Sequence, residues 1–224
     1  MRLAKYCIRE VSLATVLAGG AIIALLVLMP LHVALLVSTV PLAVWLWVLW
    51  FFRDPDRAAP AGDNLVICPA DGKVTDITPL GPEGPLGRSG TQIGIFMNVF
   101  SVHVNRSPIA GTVQRIEHKD GCFMDVRDPA AWYRNESATI YLERDFGGKR
   151  HVLVVRQIAG LVARRIVTDL SPGQVLAGGE RIGMIKFGSR VEVLIPQELL
   201  GEVRVSIGQN VKAGLSVLAC LAEQ

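Results

Sequence analysis

The sequence predicts a β-dominated globular domain, a sandwich or barrel of short strands, preceded by a membrane-embedded helical hairpin. Three observations lead to this prediction. A run without Asp, Glu, Lys or Arg covers residues 11–52. A series of short segments with the apolar-polar alternation of β-strands follows that run. Gly, Pro, Asp and Asn separate these segments, as is usual between the strands of an all-β domain.

The uncharged run has the length of two membrane-spanning helices. One span needs about 20 apolar residues, and Pro30 interrupts the run near its middle. We expect helices at roughly 11–29 and 33–52, so that residues 1–52 form the anchor. A cleaved signal peptide is a poor alternative because its apolar region is only about 7–15 residues long. A re-entrant hairpin that does not cross the bilayer stays open.

Basic residues flank both ends of the hairpin. Arg2, Lys5 and Arg9 precede it, and Arg53 and Arg57 follow it. By the positive-inside rule, both ends lie in the cytoplasm. We therefore expect a protein of the cell (inner) membrane with its globular domain on the cytoplasmic side. A connector rich in Pro and charged residues, 53–64, joins the two parts.

The globular domain is expected to span 65–224. Its predicted strands are residues 65–68, 73–78, 91–97, 111–118, 137–143, 150–159, 163–168, 181–187, 190–196 and 203–208. From Arg53 onward the chain is nearly neutral, which argues against a nucleic-acid surface because such binding requires clustered Lys and Arg. The four cysteines are widely spaced, so neither a zinc site nor a disulfide framework is predicted.

Three places carry side chains suited to chemistry. Asp71 precedes a glycine in "PADGKV", His103 and Arg106 lie in "FSVHVNRSP", and the pair Gly188-Ser189 interrupts a strand in "GMIKFGSRVEVLIP". Each alone has an ordinary structural explanation, such as a turn or a bulge. Together, a carboxylate, an imidazole and a hydroxyl are the parts of an activated serine.

Two other functions stay open at this point. Segments 171–183 and 205–219 resemble the turns of biotinyl- and lipoyl-type domains, which suggests a membrane-anchored carrier or adaptor without catalysis. The expected lysine hairpin of such carriers is not present in the sequence. A membrane-anchored serine hydrolase would use the same three side chains in an uncut chain, but no G-x-S-x-G motif supports it.

Five segments, taken in order, resemble the phosphatidylserine decarboxylase proenzymes, and most closely their short bacterial and archaeal branch. They are "FFRDPDR", "PADGKV", "FSVHVNRSP", "VVRQIAGLVARRIV" and "GMIKFGSRVEVLIP". The resemblance implies that the chain cuts itself between Gly188 and Ser189. It would leave a large chain, 1–188, and a small chain, 189–224, that begins with a pyruvoyl group made from Ser189. The two chains would stay together as a heterodimer, with further oligomerisation left open.

The resemblance also implies the reaction. Phosphatidylserine would be decarboxylated to phosphatidylethanolamine and CO2 at the membrane, and the pyruvoyl ketone would form an imine with the substrate amine. No ordinary side chain accepts the electrons that decarboxylation releases, so a cofactor has to do so. The family needs neither pyridoxal phosphate nor a metal.

One position departs from the better-known branch of this family. That branch carries two histidines in an H-x-x-H pattern, whereas here His103 matches the first and Arg106 stands at the second. Asp71 and Ser189 match the family, and we expect His103 to act as an acid or base near the pyruvoyl group. Arg106 stays protonated and is no base, so we expect it to hold the carboxylate or phosphate of the substrate. The base for self-cleavage stays open.

Overall fold

The computed structural model describes residues 2–161, 165–186 and 189–222. The chain divides into two compact units, Met1–Asp56 and Arg57–Gln224.

The first unit is a helical hairpin. A short 3-10 turn, Lys5–Cys7, leads into helix α1, Ile8–Leu28, and helix α2 covers Leu31–Phe51. Pro30 lies between the helices in an extended conformation with φ of −54° and ψ of 138°, because proline cannot continue the hydrogen bonding of a preceding helix. Both helices are long and apolar enough to cross a membrane, by length and composition. The prediction of an apolar helical hairpin is confirmed.

The second unit is made mostly of strands. In chain order its elements are β1 (Leu65–Ile67), β2 (Gly72–Leu80), β3 (Gly90–Met97), β4 (Val104–Arg106), β5 (Gly111–Lys119), α3 (Ala131–Arg134), β6 (Ser137–Phe146), β7 (Lys149–Ala159), β8 (Ile166–Thr168), β9 (Val175–Leu176), β10 (Arg181–Ile185), β11 (Ser189–Pro196), β12 (Leu200–Val203), β13 (Asn210–Val211) and β14 (Val217–Leu221). The predicted β-dominated fold class is confirmed.

The described strands form one large sheet and two small ones. The large sheet has the order β13-β2-β3-β11-β7-β6-β5-β9, and the small sheets are β1-β14-β12 and β4-β10-β8. Strand β11 lies at the centre of the large sheet, paired antiparallel with β3 on one edge and β7 on the other. Both outermost strands of the large sheet are only two residues long, which leaves little exposed edge for unwanted pairing.

The main core lies against one face of the large sheet. Val191, Val193 and Ile195 of β11 belong to this core, whereas Arg190 and Glu192 point to the opposite face, because successive side chains of a strand alternate. The two faces of β11 therefore have different chemistry.

Some predicted boundaries were wrong. The strand predicted at 203–208 lies earlier, at Leu200–Val203, because the chain turns at Gly208 with a φ of 92°. The strand predicted at 181–187 ends at Ile185, and residue 187 lies outside the described residues. Strand β4 was missed because three residues are too short to produce a period-two pattern.

Candidate active site

The candidate site lies where the chain passes from a small sheet to the large one. Strand β10 belongs to the small sheet β4-β10-β8, and β11 begins at Ser189 in the large sheet. Gly188, the predicted partner of Ser189 at the cleavage site, lies outside the described residues. Ser189 pairs with Met97 at the end of β3 and with Ala159 at the end of β7.

Ser189 is completely buried. Its hydroxyl donates to the thioether sulfur of Met97 at 3.4 Å, and a thioether is a weak acceptor. Among the described residues, the hydroxyl is therefore held by one weak bond, which a reaction at this position can break at small cost.

His103 reaches the same region through the small sheet. It immediately precedes β4, it is completely buried, and its carbonyl accepts a hydrogen bond from the Ile185 N–H at 3.3 Å. Ile185 is the last residue of β10, four positions before Ser189. The pairing of β4 with β10 thus places the His103 backbone beside Ile185, at the end of β10.

Asp71 lies at the same end of the large sheet but is bound to other partners. It precedes β2, which is separated from β11 by β3, so the two strands lie about 10 Å apart. Its carboxylate accepts two hydrogen bonds from the Arg57 guanidinium and one, at 2.8 Å, from the Ala213 N–H. The structure thus groups Asp71 with Arg57 and the turn at Ala213.

Arg106 is buried between two glycine turns. Its Nη1 donates to the Gly179 carbonyl at 3.0 Å, and its Cδ lies 2.8 Å from where a Cβ of residue 214 would be. Gly179 and Gly214 both have positive φ angles, 79° and 72°, which favour glycine. These contacts give Arg106 a structural role in joining the two turns.

A cleft of about 420 Å³ opens beside Asp71. Lys73, Lys212 and Asn98 contribute polar groups to its lining, and Phe100 forms an apolar part of the wall. Phe100 is 64% exposed. The cleft therefore combines cationic groups with an apolar rim.

A row of hydrogen-bonded polar side chains lies beside Ser189 and was not predicted from the sequence. The Thr168 hydroxyl donates to Gln157 Oε1 at 3.1 Å, and Gln157 Nε2 donates to Asn105 Oδ1 at 2.7 Å. Asn105 Nδ2 lies 3.7 Å from the sulfur of Met97, the same atom that accepts from Ser189. No clear signal for them was present in the sequence, because a charged residue, Arg106 or Arg156, stands directly beside each of the two amides.

Arg57 was also missed as a site residue. It stands in "FFRDPDR", one of the five segments, but the sequence gives no indication that it pairs with Asp71. Its side chain is 9% exposed, so the pair is largely removed from water and is screened little by salt.

A network of charged side chains occupies the opposite face of β11. Arg190 donates to Glu192 and to Asp76, each at 2.8 Å, and its guanidinium lies 3.8 Å from the centre of the Trp132 ring. Arg156 donates to the other oxygen of Glu192. Burial raises the pKa of Asp76, but the hydrogen bond and charge of Arg190 outweigh this effect and hold the pKa below its ordinary value.

Other reactive groups are less suited to catalysis. Burial raises the pKa of the Cys68 thiol to about 12, so it stays protonated at neutral pH and is a poor nucleophile. Within residues 2–161, 165–186 and 189–222, no three His, Cys, Asp or Glu side chains are grouped to hold a metal ion.

The chain matches a known family over most of its length. The profile of the family described as Phosphatidylserine decarboxylase matches residues 45–219. Three similar bacterial proteins all carry the name phosphatidylserine decarboxylase proenzyme. The protein of Geobacter metallireducens is 45% identical over 179 residues, 80% of this chain and 79% of its own length. That of Solibacter usitatus is 47% identical over 176 residues, 79% of each chain. That of Magnetococcus marinus is 43% identical over 176 residues, 78% of each chain.

The matched range, residues 45–219, includes all five segments that suggested the resemblance. All the site positions named above also lie within it. The chain belongs to the phosphatidylserine decarboxylase family, and it is a decarboxylase, a carboxy-lyase.

Proposed function

We propose that this protein decarboxylates phosphatidylserine to phosphatidylethanolamine and CO2, using a pyruvoyl group that it makes from Ser189. The observation that carries the proposal is the placement of Ser189. It is a fully buried serine at the first position of the central strand, with its hydroxyl on a weak acceptor. The names of the relatives supply the substrate and the proenzyme state.

Self-cleavage requires three changes at this position. The Ser189 oxygen attacks the carbonyl carbon of Gly188, the C–N bond breaks, and the hydroxyl proton passes to the freed amine, which gives an ester. Loss of the Cα proton and of the Gly188 carboxylate then leaves a dehydroalanine at position 189. Addition of water and loss of ammonia convert this residue to the pyruvoyl group. The products are a large chain, 1–188, and a small chain, 189–224.

The surroundings of Ser189 fit such a group. Met97 and Ala159 flank it on the neighbouring strands, and both are completely buried, so bulk water is kept from a ketone at this position. When bound there, a pyruvoyl group supplies a carbonyl that takes up the electrons released as the substrate carboxylate leaves.

His103 is proposed as the acid or base of the site. Its imidazole is the side chain best suited to proton transfer near neutral pH, and the backbone bond to Ile185 supports its placement near Ser189. Asp71, held by Arg57, is proposed to contribute its negative charge and to fix the Ala213 turn at the edge of the site.

The cleft beside Asp71 is proposed to receive the lipid head group. Its lysines, Lys73 and Lys212, suit the phosphate of phosphatidylserine, and the exposed ring of Phe100 suits the start of the acyl chains. The predicted contact of Arg106 with the substrate stays a prediction. Its hydrogen bond to Gly179 and its packing against Gly214 support a structural role as well.

The helical hairpin is proposed to anchor the protein in the cell membrane, with residues 53–64 as the connector and the catalytic domain in the cytoplasm. A diacyl phospholipid leaves the bilayer reluctantly because its chains are apolar. An enzyme that acts on the head group therefore gains from being held at the interface.

Intact mass of the purified full chain tests the central claim. We expect two fragments divided after Gly188, the smaller one carrying pyruvoyl in place of serine at its amino terminus. Ser189→Ala should give one full-length mass, and Ser171→Ala, a matched change at an exposed serine outside the strands, should be cut normally. An uncut wild-type chain would instead fit the adaptor or the serine hydrolase.

Labelling of Cys122 tests the orientation. Cys122 is exposed, whereas Cys7, Cys68 and Cys220 are buried. An impermeant maleimide should label it in inverted membrane vesicles and leave it unlabelled in intact cells, with Cys122→Ser as the control. Labelling in intact cells would place the catalytic domain on the outer side.

A further inference from the structure

The polar chain Thr168–Gln157–Asn105 joins the two sheets beneath Ser189. Gln157 lies on β7, where it pairs with Val191 of β11. Asn105 lies on β4 and Thr168 on β8, both in the small sheet. Asn105 and Gln157 are completely buried, and burying an amide is costly unless it is hydrogen-bonded. Such a chain needs a structural or a functional reason.

The hydrogen bonds of Thr168 and Gln157 fix the direction of the Asn105 amide. The Pro69 carbonyl, which can only accept, lies 3.5 Å from Asn105 Nδ2, so the nitrogen points to that side. The oxygen of the same amide faces Gln157, which donates to it at 2.7 Å. Gln157 is fixed in turn by the Thr168 hydroxyl on its own oxygen. The orientation is therefore set along the whole chain.

The donor group of this row, the Asn105 side-chain NH2, makes only weak hydrogen bonds to the described residues. Among the described residues, Asn105 Nδ2 contacts Pro69 O at 3.5 Å, which is longer than an ordinary N–H···O bond of about 2.7–3.2 Å. Its other contact, at 3.7 Å, is with Met97 Sδ, and a thioether is a weak acceptor. The acceptor end, by contrast, has a short bond. A buried amide that is held firmly by its oxygen keeps its N–H groups available for another acceptor.

The available donor lies close to Ser189. Asn105 Nδ2 and Ser189 Oγ share the sulfur of Met97, at 3.7 Å and 3.4 Å. The two atoms cannot be farther apart than the sum of these distances. The Met97 side chain is flexible, so it can turn away and open the space between the amide and Ser189.

We propose that Asn105 is the hydrogen-bond donor for the reaction centre at Ser189, and that Gln157 and Thr168 are positioning residues that hold it. The inference rests on the proposed self-cleavage. When Ser189 Oγ bonds to the preceding carbonyl carbon, negative charge develops on that carbonyl oxygen. A preorganised neutral donor stabilises such a charge and takes no proton from it.

The test removes the donor without leaving buried groups unpaired. In the full chain, Asn105→Leu, Gln157→Leu and Thr168→Val are combined, because replacing all partners by apolar groups of similar shape can be nearly neutral for stability. The rate of cutting is followed on newly synthesised protein by the fraction of two-chain product with time. We expect a slowing of about 10²–10³-fold, the usual effect of losing one such donor, with the thermal unfolding midpoint close to that of the wild type.

A second variant separates positioning from donation. Gln157→Leu with Thr168→Val keeps Asn105 but frees its amide, so cutting should slow by no more than about tenfold, the value of one ordinary hydrogen bond. Gln92→Leu, a buried amide on the opposite face of the large sheet, is the matched control and should be cut at the normal rate.

The outcomes distinguish this inference from the proposed function. Normal cutting of the triple variant overturns the role of Asn105 and leaves the decarboxylase proposal intact. Loss of cooperative unfolding in the triple variant also overturns it. The three polar side chains would then serve as a structural link between the sheets. A wild-type chain that is never cut contradicts the proposed function itself.

Discussion

The two faces of strand β11 differ in the kind of contact that their side chains make, although the residues are neighbours in the sequence. On one face, Ser189 lies among neutral groups, and both its hydroxyl and the Asn105 amide contact the weakly accepting sulfur of Met97. On the other, Arg190 and Glu192 form short ionic hydrogen bonds with Asp76 and Arg156. A shift of one residue in register would exchange the two faces.

The difference suggests that the ionic face stabilises the fold and that the neutral face serves the reaction at Ser189. Buried charges that are fully paired hold a strand in one register, because breaking a pair leaves an uncompensated charge. Neutral groups with spare hydrogen-bonding capacity can instead follow a change in bonding at Ser189. We therefore expect substitutions on the ionic face to lower stability, and substitutions on the neutral face to lower the rate of cutting.

The largest effect is expected from Glu192→Gln. Glu192 is completely buried between two guanidinium groups, and neutralising it leaves Arg156 and Arg190 without their shared anion. The free energy of unfolding should fall by about 3–5 kcal/mol, measured by urea unfolding in detergent on the uncut Ser189→Ala background. Glu202→Gln, which breaks an exposed pair with Arg204, should change it by less than about 0.5 kcal/mol. Equal effects of the two would contradict the stabilising role of the ionic face.

Gly94→Ala should have the next largest effect. Gly94 lies on β3 between Asp76 and Glu192, and a Cβ there would collide with the Arg190 guanidinium and the Asp76 carboxylate. Overpacking of this kind costs about 1–3 kcal/mol, measured in the same way. Gly81→Ala, where a Cβ meets no atom within 4 Å, is the control. A Gly94→Ala protein as stable as this control would show that the ionic network shifts easily.

Met97→Leu tests the neutral face. The substitution keeps volume and removes the sulfur that accepts from Ser189, so stability should change by less than about 1.5 kcal/mol. Because a thioether is a weak acceptor and no base, cutting should slow by less than about tenfold. Time courses of fragment formation measure this, and a complete loss of cutting with stability retained would give Met97 a direct part in the reaction.

The smallest effect is expected from Asp76→Asn, on the stability of the fold at acidic pH. The pKa of Asp76 is lowered in the folded protein, so its pairing stabilises the fold above the ordinary carboxyl pKa of about 3.9. That contribution is lost as the pH falls through the lowered value, because the folded carboxylate then takes up a proton. Asp76→Asn should therefore flatten the fall of the thermal midpoint between about pH 5 and pH 2. An unchanged slope would show that other carboxylates dominate acid unfolding.

Sequence patterns predicted the hairpin and most strands because both depend on local periodicity. Pro30 and the uncharged run are visible in the sequence, and so is the alternation of polar and apolar residues at the start of β11. The partners of the site residues were not predictable in this way. Arg57 meets Asp71, and Asn105 meets Gln157, through pairings between segments that lie far apart in the chain. The sequence indicates neither that these amides are buried nor which partner each of them meets.

Strand β11 is hydrogen-bonded along both edges, to β3 and to β7, and this has a consequence for the history of each molecule. Under the proposed cut, the reacting serine meets Met97, Asn105 and His103 only after these strands have assembled. Folding must then come before cutting, and a molecule that misfolds stays whole. The ratio of whole to cut chain in a cell would count how many copies have reached the native sheet.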